Sequence, residues 1–199
     1  IQDFATEFNP ESKTVSTKEN GTISYDILVV ATGLVNDLDG IEGLREGLER
    51  GVVCSNYVDS RKTWELLKAF KGGNAVFTQP TTPIKCGGAP QKAAYMAADY
   101  FRKKGLSDKT NIVFATPGSV IFGVKIIADA LMKVIGNYNI HLKTFYAPIK
   151  IDVANKIVYF KEVSAGENKC VVNENNILKE KHTGNEIMEI PFDFLHLAP

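Results

Sequence analysis

The chain has 199 residues, 44% of them hydrophobic, which is long enough to bury a core without disulfides or a structural metal. Its 23 lysines and arginines balance 23 aspartates and glutamates, so no net field attracts nucleic acid or an acidic membrane face. The three cysteines lie far apart and form no CxxC pair, which argues against both a zinc site and a disulfide framework.

Both ends of the sequence indicate an internal piece of a longer protein. The chain starts at Ile1 rather than at a methionine, and it stops shortly after a strand-like segment at residues 192–196. No apolar run approaches the roughly 18 residues that a membrane-spanning helix needs. We therefore expect a fragment without a spanning helix.

The first 25 residues predict a β-meander. Extended segments at residues 4–8, 14–17 and 22–25 are separated by turns at Asn9-Pro10 and Asn20-Gly21. Residues 27–30 then form a continuous apolar run that stops before Gly33. A run without alternation predicts a strand that is covered on both faces, as in α/β folds.

Strand and helix signals alternate after residue 59. Helices are predicted at residues 59–70, 89–103 and 120–135, with strands at 75–78 and 111–114. This alternation predicts βαβ units on a Rossmann-like parallel sheet with flanking helices, an α/β fold. The third helix should pack on the sheet through an apolar stripe made of Val120, Val124, Ile127, Leu131, Val134 and Ile135.

Extended segments return beyond residue 140. They are predicted at residues 141–146, 149–153, 156–160 and 186–190, and the polar stretch at 164–181 is predicted to be a loop. The carboxyl-terminal part is therefore expected to be rich in β-structure.

Small residues end the apolar run at Ala31, Thr32 and Gly33. In open α/β sheets, ligands bind beyond the carboxyl ends of the strands, where small residues let a ligand approach the main chain. The alternative is an ordinary strand followed by a turn, and the residues alone leave both open.

Cys86 is the second candidate for chemistry. It precedes the predicted start of a helix and follows Lys85, and both features favour the reactive thiolate. Gly87 and Gly88 allow positive φ or a close approach of the main chain to a ligand, and Pro90 suits a first helical turn. A buried structural cysteine in a tight turn is the equally open alternative.

The motif TPIKCGGAPQK at residues 82–92 resembles the eukaryotic-type branch of the sulfide:quinone oxidoreductase family. The resemblance extends over roughly residues 24–199 and includes SNY at 55–57, NIVF at 111–114 and IFGVK at 121–125. Residues 25–33 also resemble the second FAD motif of flavoproteins with two dinucleotide-binding domains.

This resemblance implies a domain organisation. Residues 1–35 would be strands of a partial FAD-binding domain, residues 36–189 a second, NAD-binding-like Rossmann domain, and residues 190–199 a return strand into the FAD-binding domain. FAD would lie near a set of residues from the two motifs, namely Ala31, Thr32, Gly33, Pro83 and Lys85.

The resemblance also implies a reaction. Cys86 would be the first of two redox cysteines in a disulfide that sulfide attacks, with electrons passing through FAD to quinone and the sulfur to an acceptor. Peripheral membrane association would depend on parts outside this chain, at the mitochondrial inner membrane or, in bacteria, at the cytoplasmic membrane. The family's glycine fingerprint and second cysteine would lie beyond Ile1 and Pro199, so this chain alone is expected to lack tightly bound FAD and turnover.

Two other functions are weighed against this one. A reductase similar to type II NADH:quinone reductases would need a GxGxxG fingerprint in this domain, and the sequence lacks it. A non-catalytic Rossmann-like binding domain is the other alternative. Among the remaining residues, Cys54 is a second redox candidate, Cys170 is assigned no role, and His196 is predicted to be a core or edge histidine, with a place near the flavin as the family-based alternative.

Overall fold

In the computed structural model, residues 1–163 and 186–199 are described, and they form two compact units, Ile1–Gly33 and Leu34–Pro199. The first unit contains three short strands, β1 (Ala5–Asn9), β2 (Thr14–Thr17) and β3 (Gly21–Ser24). They pair in chain order as an antiparallel sheet, which confirms the predicted meander.

The strand predicted at residues 27–30 is wrong. These residues form no strand, and Ile27 and Val29 are 84% and 79% exposed. An apolar run becomes a buried strand only when neighbouring strands satisfy its main-chain groups and side chains cover its faces. Among the described residues no strand pairs with this segment.

The second unit contains the remaining helices and strands. In chain order they are α1 (Leu44–Glu49), α2 (Ser60–Ala69), β4 (Gly73–Thr78), α3 (Ala89–Lys103), β5 (Thr110–Thr116), α4 (Lys125–Asn137), β6 (Ile140–Thr144), β7 (Tyr146–Asp152), β8 (Ile157–Glu162), β9 (Ile187–Pro191) and β10 (Phe194–His196).

Four strands of this unit form a parallel sheet in the order β10-β4-β5-β6. The helices α3 and α4 connect β4 to β5 and β5 to β6, so the predicted βαβ units are confirmed. The chain then forms the antiparallel sheet β7-β8-β9 before it returns as β10 beside β4. The strand order therefore reverses at β4.

The parallel sheet has a hydrophobic cluster on each face. Phe77 of β4 and Phe114 of β5 pack with residues of α2, α3 and α4. Val76 of β4 and Val113 of β5 pack in the other cluster, together with residues of α1, β7 and β8. Side chains of a strand alternate between its faces, so neighbouring residues of β4 serve both clusters.

Helix α4 begins at Lys125, five residues after the predicted start. Turn-forming residues at Gly118 and Gly123 interrupt the segment before it, and Val120 is 54% exposed. The helix packs on the core through its later positions, mainly Leu131 and Ile135. The predicted apolar stripe is therefore correct only in its carboxyl half.

His196 at the end of β10 is a core residue, as predicted, with 1% of its surface exposed. Its Nε2 accepts a hydrogen bond from the main-chain N–H of Asn56 at 3.1 Å. Cys54 pairs with the same strand, because its N–H donates to Leu195 O at 3.0 Å and its carbonyl accepts from the Leu197 N–H at 2.9 Å. The segment before α2 is thereby fixed against β10.

We expect Gly73→Ala to destabilise the protein. Gly73 has φ 104°, and an added Cβ would collide with the Asp193 carboxylate, which accepts the Asn74 N–H at 2.9 Å. The free energy of unfolding, measured by urea denaturation, should fall by about 1–3 kcal/mol. Gly136→Ala is the matched control, because no atom lies near that position in α4, and it should stabilise by about 0.5–1 kcal/mol. Equal effects of the two substitutions would contradict this packing.

We also expect His196 to make stability depend on pH. Burial lowers the pKa of His196 from 6.5 to about 4, with a smaller opposing effect of its own main chain. Between these two pKa values the unfolded chain binds more protons than the folded protein does. The free energy of unfolding therefore falls as the pH drops from 6.5 towards 4, and it levels off below that. From pH 7 to pH 5.5 the free energy of unfolding should fall by about 1 kcal/mol. His196→Gln should flatten this slope, and an unchanged slope would assign the effect to other groups.

Candidate functional site

A loop at residues 79–88 joins β4 to α3 at the carboxyl end of the parallel sheet. The N–H of Gln79 makes the last sheet-like bond, to Ala115 O at 2.9 Å. Pro80 and Pro83 lack a main-chain donor and disfavour both a longer strand and an earlier helix. Because β5 and β10 lie on opposite sides of β4, this loop occupies the switch point where open α/β sheets bind ligands.

Cys86 lies in this loop with its side chain exposed. Its main-chain carbonyl accepts the Ala89 N–H at 3.0 Å, so the residue belongs to the turn that starts α3. The first turn of α3 contains no acidic side chain to compensate the positive end of the helix dipole. The structure thus places an accessible sulfur directly before a helix N-terminus.

The two glycines after Cys86 do not adopt positive φ. Gly88 has φ −92°, within the range of any residue. A Cβ added at Gly87 would meet no atom within 4 Å. The space beside Gly87 is therefore open, which agrees with the second predicted use of these glycines, a close approach to the main chain.

A cavity of about 200 Å³ lies beside the loop. Pro83 and Lys85, two of the predicted cofactor-binding residues, both line it, and Cys86 follows Lys85 in the chain. The other lining residues come from four separate stretches of sequence: Leu34, Val35, Asn36, Asp37, Tyr57, Thr82, Ile84 and Pro199. The fold thus brings together residues far apart in the chain.

Tyr57 is a site residue that the sequence did not identify. Its hydroxyl is buried and has no hydrogen-bond partner in the described part of the chain, while Asn36 Nδ2 donates to its main-chain oxygen at 2.9 Å. Burial raises the pKa of Tyr57, and the negative charge of a Cys86 thiolate raises it further. The phenol therefore stays protonated near Cys86. Tyr57 stood within the SNY motif, but its residue type did not distinguish it from a core tyrosine.

Cys54 lies in a different environment. Its side chain is buried, and burial raises its pKa to about 12, although a hydrogen bond with Thr63 acts in the other direction. Its Sγ donates to Leu195 O at 3.4 Å. This environment maintains a protonated thiol and suits a structural role. Cys170 lies outside the described residues.

Ala31, Thr32 and Gly33 end the first unit. All three are exposed and have no regular secondary structure. Gly33 has φ 79°, and a Cβ added there would meet no atom within 4 Å. Their predicted place near FAD stays a prediction.

Three curated proteins that are similar to this chain have the same name. "Sulfide:quinone oxidoreductase, mitochondrial" of Mus musculus is 37% identical over 201 residues, which cover all of this chain and 41% of that protein. The protein of the same name from Schizosaccharomyces pombe is 32% identical over 99% of this chain and 40% of its own length. The one from Dictyostelium discoideum is 46% identical over 67% of this chain and 30% of its own length. The chain spans about two fifths of the relatives that match it over its whole length. No protein-family model matches it.

Solved structures share the fold. The sulfide:quinone oxidoreductase of Aquifex aeolicus superposes with a TM-score of 0.71 at 20% identity, over all of this chain and 42% of that one. The thioredoxin reductase of T. acidophilum superposes with a TM-score of 0.52 at 15% identity, over 96% of this chain and 49% of that one. These similarities confirm the predicted fold class.

We expect iodoacetamide to alkylate Cys86 at neutral pH at least about tenfold faster than Cys54, because Cys86 is exposed and Cys54 is a buried thiol. Timed labelling followed by peptide mass spectrometry measures both rates in one sample. Labelling in urea is the control, since unfolding should bring the two rates together. Faster labelling of Cys54 in the folded protein would contradict the assigned environments. We also expect Cys86 to react faster than Cys170.

Proposed function

Because the chain belongs to the sulfide:quinone oxidoreductase family, we propose that the complete protein oxidises sulfide at Cys86 and transfers the electrons to quinone. The observation that supports this most directly is the exposed Cys86 thiol at the switch point of the sheet, before α3 and next to a cavity. Since the chain spans about two fifths of the relatives that match it in full, the activity is proposed for the complete protein.

In the proposed reaction, Cys86 forms a disulfide with a second cysteine outside this chain. Hydrosulfide attacks one sulfur, a new S–S bond forms as the old one breaks, and the products are a persulfide on one cysteine and a thiolate on the other. A sulfur acceptor later removes the outer sulfur. FAD, when bound, would supply the two-electron chemistry that links the cysteines to quinone.

The residues around Cys86 suit this exchange. Disulfide exchange requires access to the attacked sulfur, and the Cys86 side chain is exposed. Lys85 lines the adjacent cavity and provides positive charge for an approaching hydrosulfide anion. The protonated Tyr57 phenol is a hydrogen-bond donor in the same cavity.

Two sets of residues are proposed as contacts of FAD: Ala31, Thr32 and Gly33 in the first unit, and Pro83 and Lys85 in the second. Pro83 and Lys85 line the cavity beside the cysteine loop. We propose that residues 1–35 belong to the FAD-binding domain and residues 36–189 to the second domain. We propose that residues 190–199, which contribute β10 to the parallel sheet, are the return strand towards the FAD-binding domain.

We propose a mitochondrial location, at the inner membrane, because the matching curated relatives are named as mitochondrial proteins. No helix in the described ranges has the length and hydrophobicity needed to cross a membrane. Membrane association is assigned to parts of the protein outside this chain.

Replacing Cys86 tests the proposed function in the full-length protein. In Cys86→Ser, flavin reduction by sulfide and quinone reduction should fall by at least about a thousandfold, because the nucleophilic exchange is lost, while FAD stays bound. Stopped-flow absorbance of the flavin measures its reduction by sulfide and its reoxidation by quinone, and the flavin spectrum shows that FAD stays bound. Cys54→Ala and Cys170→Ser are the matched controls and should retain turnover. Sulfide-dependent turnover in Cys86→Ser would refute the assignment.

A further inference from the structure

A second cavity lies in a groove between α2 and α3, above β4 and β10, and has a volume of about 310 Å³. This volume falls at the lower end of the range of small-molecule sites, roughly 300–1,000 Å³. Its walls are mostly apolar and aromatic, with Trp64, Leu67, Phe77, Met96, Tyr100 and His196 among them. The groove is separate from the cavity beside Cys86, because the two share no lining residue.

The sequence of the two helices explains why the groove is open. Trp64 of α2 and Tyr100 of α3 meet edge to face, with ring centroids 5.1 Å apart, and bridge the helices. Ala93 and Ala97 of α3 line the groove next to this bridge. Methyl side chains leave the space between the helices unfilled, whereas protein interiors are normally close-packed.

His196 provides an unsatisfied hydrogen-bond donor in the wall of this groove. Its Nε2 accepts the Asn56 N–H, so the proton of the neutral ring is on Nδ1. Nδ1 is buried and has no hydrogen-bond partner in residues 1–163 and 186–199. Buried polar atoms are nearly always satisfied, and one that is not requires an explanation. A bound ligand with a hydrogen-bond acceptor would be the missing partner of Nδ1–H.

The rim of the groove restricts the charge of a ligand. The Lys68 ammonium lies over the Trp64 ring at 5.5 Å, and the Lys104 ammonium lies over the Tyr100 ring at 5.6 Å. These cations disfavour a positively charged ligand. Trp64 and Met96 line the groove and are 47% and 73% exposed, so the groove opens to solvent beside them.

We propose that this groove binds a planar, uncharged aromatic molecule whose carbonyl oxygen or ring nitrogen accepts a hydrogen bond from His196. The aromatic and aliphatic walls bury the ring, and the acceptor satisfies Nδ1. The proposal does not depend on the function proposed for Cys86.

The groove contains its own reporter, because Trp64 is the single tryptophan of the chain. Tryptophan fluorescence of the 199-residue protein is titrated with 2-acetylnaphthalene and with 2-isopropylnaphthalene, which has a similar shape but no acceptor. We expect saturable changes with both, and roughly tenfold tighter binding of the ketone because only the ketone can accept a hydrogen bond.

Three variants separate the contributions. Ala93→Phe fills the groove and should abolish saturable binding, whereas Tyr95→Phe, on the same helix but outside the groove, should bind as the wild type does. His196→Leu removes the Nδ1 donor and offers no other, so the two probes should bind this variant with nearly equal affinity. If circular dichroism shows that Ala93→Phe is unfolded, Ala93→Val takes its place and should weaken binding.

Two results would overturn the proposal. Fluorescence changes that do not saturate, or that persist in the filled variant, would show that no probe occupies the groove. Equal affinity of the wild type for the ketone and the hydrocarbon would show that His196 does not recognise an acceptor.

Discussion

The structure depends on the burial of β4 between two parallel neighbours. Phe77 lies opposite Phe114 of β5 and His196 of β10, and clusters of apolar side chains cover both faces of the sheet. The strand therefore has no free edge. Its carboxyl end is open to a ligand, and the Cys86 loop begins there.

The loop at the carboxyl end of β4 explains how a Rossmann-like fold can support chemistry other than dinucleotide binding. In dinucleotide-binding relatives of the fold, a glycine fingerprint at the first strand-to-helix turn seats a pyrophosphate. Residues 79–88 contain prolines and an exposed cysteine instead. This difference argues against an NADH-dependent reductase. The accessible sulfur argues against a domain that only binds a ligand.

Two cysteines of the same chain show how the environment decides reactivity. Cys86 is exposed in the turn before α3, whereas Cys54 is packed against β10 and its thiol is kept protonated by burial. The positions of the two cysteines in the sequence do not indicate that one is exposed and the other buried. Cys54 is buried because it pairs with a strand more than 140 residues later in the chain.

The sequence determined the features that depend on local signals, such as α3, whose predicted bounds match the structure because a proline and small residues mark its start. It missed α1, which is six residues long and lies in a glycine-rich stretch. Tertiary structure decided the rest. Residues 27–30 lack the paired strands that a buried strand needs, and the cavity with Tyr57, Pro83 and Lys85 combines segments distant in sequence. Turn and helix signals act over a few residues, whereas pairing and burial depend on contacts that only the folded chain makes.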